Sequence, residues 1–131
     1  MPIKKIILHA GAHKTGTTTT QKVLFKNRNH LQKLGVLYPK LTLKGKPVSN
    51  HSVVFNNLFT DSPERNHQHI MHRLDTEEKV ESQKKTTIKE IESQIKKFSG
   101  NTLFFSAESI SSNKYNEQAL HRIRSFFTEI T

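Results

Sequence analysis

A short apolar strand that runs into a glycine-containing loop and then a helix constrains this fold most. Ile3 to Leu8 reads as a buried strand, because the run is short, rich in Ile and followed by a turn. Gly11 to Thr18 follow, and a helical pattern begins at Thr17. Amides at a helix N-terminus favour an anion, and glycines let the backbone curl closely around it. Residues 11–18 therefore predict a phosphate-binding loop.

The rest of the chain alternates helices with strands, and its 131 residues suggest one domain, residues 1–131. The patterns predict the following elements: a helix from Thr17 to Leu34, a strand at Val36–Tyr38, a basic loop at Lys40–Pro47, a helix capped by Ser49 or Asn50 and ending at Phe59, a helix from Glu78 to Phe98, a strand at Thr102–Phe105 and a helix from Asn113 to Ile130. Residues 60–78 are polar without a clear period and read as a mobile loop or a frayed helix. The alternation predicts an α/β layer around a parallel sheet covered on both faces.

Apolar residues at helical spacing should face the core of this layer. We expect the following side chains to point inward: Val23, Leu24, Leu31 and Leu34 in the first helix; Val53, Val54, Leu58 and Phe59 in the second; Val80, Ile88, Ile91, Ile95 and Phe98 in the third; Leu120, Ile123, Phe126 and Phe127 in the last.

The charge of the chain is unevenly distributed. Residues 1–60 contain ten Lys and Arg and no Asp or Glu, whereas residues 61–131 contain eleven of each sign. All of the net charge of +10 therefore lies in the half that carries the loop. This asymmetry indicates an anionic partner: a nucleotide, an anionic polysaccharide or nucleic acid.

Composition excludes several classes of site and location. The absence of cysteine rules out disulfides, thiolate zinc sites and cysteine nucleophiles. The N-terminal apolar run is too short for a signal peptide, and no segment reaches the length of a membrane span. We expect a soluble, cytoplasmic protein that does not associate with membranes.

The spacing within the loop separates two chemistries. The triphosphatase loop places Lys directly after its second Gly and a Ser or Thr on Mg²⁺, in the pattern GxxxxGK[ST]. Here Gly11 and Gly16 have that separation, but Thr17 follows Gly16 and the lysine, Lys14, precedes it by two residues. Residues 1–60 also offer no carboxylate for magnesium. A loop that binds one phosphate-like group without a metal fits better than a kinase site, which remains an alternative.

At these residues the chain resembles a known family. His9 to Gln21 are similar to the start of bacterial sulfotransferases, with the pattern HxGxHKTGTTxxQ. The similarity continues through Gly35–Pro39, Asn50–Ser52 and Phe104–Glu108, the last being similar to the family's strand that ends in Ser-Ser-Glu. The resemblance implies an α/β, P-loop NTPase-like three-layer sandwich with a short parallel sheet, incomplete at the C-terminus.

The resemblance also implies an activity: transfer of a sulfuryl group from 3′-phosphoadenosine 5′-phosphosulfate to a hydroxyl or amine. Lys14 would stabilise the charge on the oxygen that bridges phosphate and sulfate. The following residues would bind the 5′-phosphosulfate: Gly11, His13, Lys14, Thr15, Gly16, Thr17 and Thr18. No metal is implied, and His67, His69 and His72 have a spacing that places at most two on one helical face.

An acceptor hydroxyl needs a base. Glu108 is the first choice, because it follows a buried strand at the edge where ligands gather in open α/β sheets. The alternative is a structural role for Glu108, as a helix cap or a surface carboxylate. His51 is the second choice, against a capping role at a helix start. His13 lies beside Lys14 and either faces the donor or shapes the loop.

In one respect the chain departs from the family pattern. Such enzymes hold the donor's 3′-phosphate with an Arg from a later strand and a Ser from the next helix, a region that would begin after Thr131. The sequence is therefore interpreted as a truncated relative of these enzymes, either active or inactive. Its acceptor is a small molecule or a carbohydrate, which would suit the basic loop. The other class of function is a nonenzymatic basic protein that binds polyanions or nucleic acid, although few aromatic residues suit single-strand stacking.

Overall fold

A computed structural model describes residues 3–11 and 17–131, without the side chains of Thr17 and Thr18. The strands are β1 Lys5–His9, β2 Val36–Leu37, β3 Leu41–Leu43, β4 Lys46–Val48 and β5 Thr102–Ser106. The helices are α1 Thr17–Lys26, α2 Arg28–Lys33, α3 Ser52–Phe59, α4 His67–Met71, α5 Glu77–Lys97 and α6 Glu117–Ile130, with 3₁₀ turns at Pro63–Arg65 and Glu108–Ser111. None of these helices combines the length and the apolar composition that a membrane span requires.

Three strands form a parallel sheet in the order β1-β5-β2. β5 lies in the centre and pairs with β1 from Lys5↔Thr102 to His9↔Ser106. β2 pairs with only the first two residues of β5, because it ends at Leu37. The mixed α/β fold with a short parallel sheet is thus confirmed.

The core is built on one face of β5. Leu103 and Phe105 have no exposed surface, and the Phe105 ring lies 5.3 Å from Phe55 of α3 and 5.2 Å from Phe127 of α6. Phe104, on the other face of the strand, is only half-buried. The sequence predicted a sheet covered on both faces. The face that carries Phe104 is less buried than the face that carries Leu103 and Phe105.

The helix expected over Thr17–Leu34 is broken in two at Asn27. The side-chain amide of Asn27 donates to the carbonyl of Val23 at 2.8 Å, the local hydrogen bond that makes Asn a poor helix-interior residue. Val23 is 53% exposed and Leu34 67%, so the expectation that both point inward is wrong. Gly35 does end the pair, with a φ of +87° that suits glycine.

The basic loop expected at Lys40–Pro47 is instead a β-hairpin, β3 and β4. Its two-residue turn is Lys44–Gly45, with φ of 53° and 82°, the positive pair of a type I′ turn. Leu41 and Leu43 are buried and alternate with the partly buried Thr42. The apolar side of the hairpin therefore faces the core.

Residues 60–78 are more regular than we expected. They contain a 3₁₀ turn and α4, whose Asn66 cap accepts a hydrogen bond from the Gln68 amide at 2.9 Å. The side chains of His69 and Leu74 are buried. α5 begins at Glu77 after its Thr76 cap, one residue from the expected start.

The last helix, α6, begins at Glu117 rather than at Asn113. Asn116 caps it by accepting the Ala119 amide at 2.9 Å. Ile123 and Phe127 are buried as expected, whereas Leu120 is half-exposed.

Candidate functional site

A polar cleft lies where β1 and β5 end side by side. Its volume is about 540 Å³, and the residues that line it are Gly11, Ser52, Gln68, Glu108, Ser109, Ser111, Ser112 and Lys114. β1 and β5 are adjacent and parallel, so the loops that follow them meet at one edge of the sheet. This is the edge at which open α/β sheets bind ligands.

Gly11 opens the segment predicted to bind phosphate. Its φ is +61°, the left-handed region that glycine adopts without strain. α1 begins at Thr17, and Thr18 follows it in the helix. His13, Lys14, Thr15 and Gly16 lie outside the described residues, so their predicted roles remain predictions.

The 3₁₀ turn Glu108–Ser111, which we call the Glu108 turn, is hydrogen-bonded to α3. The Ser109 hydroxyl donates to Asn56 Oδ1 at 2.9 Å, and the Ser109 amide donates to Ser52 Oγ at 3.3 Å. The buried Tyr115 hydroxyl donates to the same Asn56 oxygen at 2.8 Å. Burial raises the pKa of Tyr115, so the phenol stays protonated and keeps this bond.

The Glu108 turn is also joined to the start of the predicted phosphate loop. Ser111 Oγ lies 3.0 Å from the Gly11 carbonyl oxygen and 2.8 Å from the Glu108 carbonyl oxygen, so its one proton is shared between two acceptors. Glu108 is half-buried in the cleft wall, and Lys114 lies in the same wall. Neither side chain forms an ion pair within the part of the chain that the structure describes.

His51 lies behind the cleft, not in its wall. Its side chain has no exposed surface, and it stacks on Tyr38 with ring centroids 4.6 Å apart. The Ser106 amide donates to Nδ1 at 3.2 Å, so the neutral ring carries its proton on Nε2, which donates to the Pro39 carbonyl at 3.2 Å. The His51 amide donates in turn to the Ser106 carbonyl at 2.8 Å.

These bonds let His51 take the place of a strand neighbour. β2 pairs with β5 only as far as Leu103, and His51 satisfies both backbone groups of Ser106 on β5. Burial lowers the pKa of His51 to about 4, against a small opposing effect of the Pro39 hydrogen bond. In this arrangement neither ring nitrogen is free to take a proton from a substrate, as the predicted base would have to do.

Two further histidines have identifiable partners. His9 Nδ1 lies 2.9 Å from the Ser106 hydroxyl, across the ends of β1 and β5. His69 is buried, with Nε2 3.0 Å from Asn57 Oδ1, and burial is the main cause that lowers its pKa to about 4. Across residues 3–11 and 17–131, no three His, Asp or Glu side chains lie close enough together to hold a metal ion.

Gln21 is a buried polar residue whose bonding is incomplete. It lies on α1, four residues after Thr17, with no exposed surface. Neither Oε1 nor Nε2 has a hydrogen-bond partner among the described residues. Such groups are rare in native structures, and each calls for an explanation.

The sequence interpretation placed Gly11 and Glu108 in the site, and the structure puts both in the wall of one cleft. It missed Ser52, Gln68, Ser111 and Lys114, which share that wall. Of these four, only Ser111 had a sequence signal, the run of serines after β5. Comparison of the chain with models of known protein families, with curated proteins and with solved structures finds no match.

Proposed function

We propose that this chain is a sulfotransferase-like domain that binds the 5′-phosphosulfate of 3′-phosphoadenosine 5′-phosphosulfate and transfers the sulfuryl group to a hydroxyl or amine acceptor. We also propose that its α/β fold is P-loop NTPase-like, with residues 11–18 as the phosphate-binding loop. The proposal rests on the sequence pattern from His9 to Gln21 and on the cleft that adjoins Gly11.

One observation carries the proposal furthest. The Ser111 hydroxyl, which lies within hydrogen-bonding distance of the Gly11 and Glu108 carbonyls, joins the Glu108 turn to the start of the predicted phosphate loop. A carboxylate and a phosphate-binding loop at the ends of neighbouring parallel strands are the two parts that metal-free transfer to a hydroxyl requires. The shared cleft, of about 540 Å³, falls within the range of small-ligand sites.

The described residues also fit an anionic ligand at the start of α1. Gly11 leaves that approach free of a side chain, and Lys114 brings a cation to the cleft.

The proposed mechanism assigns one task to each group. When bound, the donor supplies a sulfuryl group, whose bond to the bridging oxygen breaks as its bond to the acceptor oxygen forms. Glu108 accepts the acceptor's hydroxyl proton, so the attacking oxygen gains nucleophilicity as the proton leaves. Lys14 stabilises the negative charge that develops on the bridging oxygen. The proposed mechanism assigns no proton-transfer step to His51, which has no exposed surface.

Calorimetric titration with 3′,5′-adenosine bisphosphate tests the donor site. We expect micromolar binding that Lys14→Ala abolishes and that Lys22→Ala, which removes an exposed lysine from α1, leaves intact. Glu108→Gln should keep the binding but lose transfer to an acceptor. Failure of the folded chain to bind the bisphosphate would refute the proposal, and tighter binding of ATP with Mg²⁺ would favour a kinase.

A second candidate function is binding of a polyanion without catalysis. Eight lysines of the basic half have exposed side chains: Lys4, Lys5, Lys22, Lys26, Lys33, Lys40, Lys44 and Lys46. None of them has a carboxylate within 4 Å in the described part of the chain. This function predicts binding to heparin or DNA that weakens steeply with salt and that Lys14→Ala affects no more than Lys22→Ala does.

A further inference from the structure

A second cavity, which we call the apolar pocket, lies next to the polar cleft. Its volume is about 430 Å³, between the β3–β4 hairpin, the start of α3 and α4. The residues that line it are Leu43, Pro47, Val48, Ser49, Asn50, Val53, Val54, Gln68 and His72. Five of these nine are aliphatic. The described lining contains no lysine, arginine, aspartate or glutamate.

The chemistry of this pocket differs from what the sequence of the hairpin indicates. Lys40 to Pro47 is basic, and a basic loop beside the site favours an anionic carbohydrate. Lys44 and Lys46 are exposed, however, and are absent from the pocket lining, whereas Leu43 and Val48 form its wall. The hairpin thus contributes Leu43, Pro47 and Val48 to the pocket lining but none of its lysines.

The apolar pocket and the polar cleft adjoin each other and share one lining residue. Gln68 lines both cavities. At the start of α3, Ser52 lines the cleft, and the next residue, Val53, lines the pocket. A molecule that spans both cavities would have one end near Glu108 and the other along Val48 and Val53.

We propose that the acceptor of this site is amphiphilic: an alcohol whose hydroxyl end lies in the polar cleft beside Glu108 and whose apolar tail lies in the apolar pocket. This inference rests on the proposed function, because it takes Glu108 as the group that meets the acceptor hydroxyl. Burying a tail removes apolar surface from water, which is the main source of affinity in such pockets.

Hexyl β-glucoside and methyl β-glucoside are matched probes, because they share the sugar and differ only in the tail. Titration of the full chain with each, below the micelle concentration of the hexyl compound, should show at least tenfold tighter binding of hexyl β-glucoside. Val53→Asp should remove that advantage, so that the two glucosides bind with similar affinity. Asp is compatible with this position, since Val53 lies in the first turn of α3.

Leu120→Asp is the matched control, because it also places Asp near the start of a helix, at a half-exposed residue outside both cavities. It should retain the preference for the hexyl compound.

Val48→Thr, which keeps the shape of a strand residue, should weaken the preference several-fold if Val53→Asp does not fold. Equal affinity for the two glucosides, or a preference that survives in the Val48 and Val53 variants, would overturn the inference. Parallel titration with 3′,5′-adenosine bisphosphate separates this failure from failure of the donor site.

Discussion

Acidification should destabilise this protein through His51. The ring is buried, and its pKa is about 4 in the folded chain against 6.5 in an exposed histidine. Between these two values the unfolded chain binds a proton that the folded chain does not bind. The free energy of unfolding therefore falls as the pH falls from 6.5 to 4 and rises as the pH increases through that window.

The magnitude follows from the two pKa values. A difference of one unit corresponds to about 1.36 kcal/mol, so the full difference is about 3 kcal/mol, reached at pH 4 and below. At pH 5 the loss relative to pH 7 is about 2 kcal/mol by the same linkage relation. Typical domains unfold at a cost of about 5–15 kcal/mol, so this one group accounts for a substantial share. His69, also buried with a pKa lowered to about 4, acts in the same direction.

Urea unfolding at pH 7, 6, 5 and 4 measures the effect, with His51→Asn as the test variant. Asn can still accept the Ser106 amide but loses the bond to Pro39, so at pH 7 we expect it to be about 1–3 kcal/mol less stable than the parent. This deficit should shrink by about 2 kcal/mol at pH 5. His30→Asn, a change at an exposed helix residue, controls for the loss of one histidine.

The reasoning fails if the parent and His51→Asn lose stability in parallel from pH 7 to pH 4. An NMR titration of the parent provides an independent check that needs no variant. The His51 ring should keep its proton on Nε2 and remain neutral down to about pH 4. A ring that titrates near 6.5 in the folded chain would contradict the buried geometry and would return His51 to consideration as a base.

Two other changes test packing by chemical denaturation. Asn56→Ala removes the acceptor shared by two hydroxyls, including that of Tyr115, and should cost about 1–3 kcal/mol for the groups left unpaired; Tyr115→Phe, which removes one donor, should cost less. Gly100→Ala would place a methyl group 2.7 Å from the Gly35 carbonyl oxygen. It should cost about 1–3 kcal/mol by overpacking, with Ser99→Ala as a neutral neighbour. A stability unchanged in either variant would refute the contact on which that prediction rests.

The elements that could be predicted are those whose local signals agree with their packing. Ile-rich and Phe-rich runs locate β1 and β5, and a Thr cap with acidic residues at one end and lysines at the other bounds α5 within a residue or two. The hairpin was missed because three lysines suggested a solvated loop. Alternation in Leu41–Leu43 and the Lys44–Gly45 turn were the signals for it.

The errors in the first helix have a different cause. Spacing identifies an apolar stripe, but it does not say whether another element covers that stripe. Val23 and Leu34 have helical spacing and are nevertheless exposed. Local pattern cannot supply this information, because it depends on how distant segments assemble.

The sequence predicted the site residues that directly follow the strands. It did not predict those that depend on hydrogen bonds between segments distant in the chain. Gly11 and Glu108 come just after β1 and β5, and parallel pairing alone brings such positions to one edge. Ser111 contributes through a bond to a residue 100 positions earlier in the chain. No spacing rule predicts a contact of that separation.

The pairing of β5 explains why His51 lies in the interior although it belongs to the sequence pattern that suggested a site residue. This strand has a neighbour on its β2 side only as far as Leu103, so the backbone of Ser106 would otherwise be left without partners on that side. His51 satisfies both groups of Ser106, and Glu108 follows only two residues later. A residue at this position can therefore influence Glu108 by fixing the end of its strand, without contacting a substrate and without changing its own charge. Its burial is then a requirement of the site, because a solvated or protonated ring could not hold the Ser106 amide.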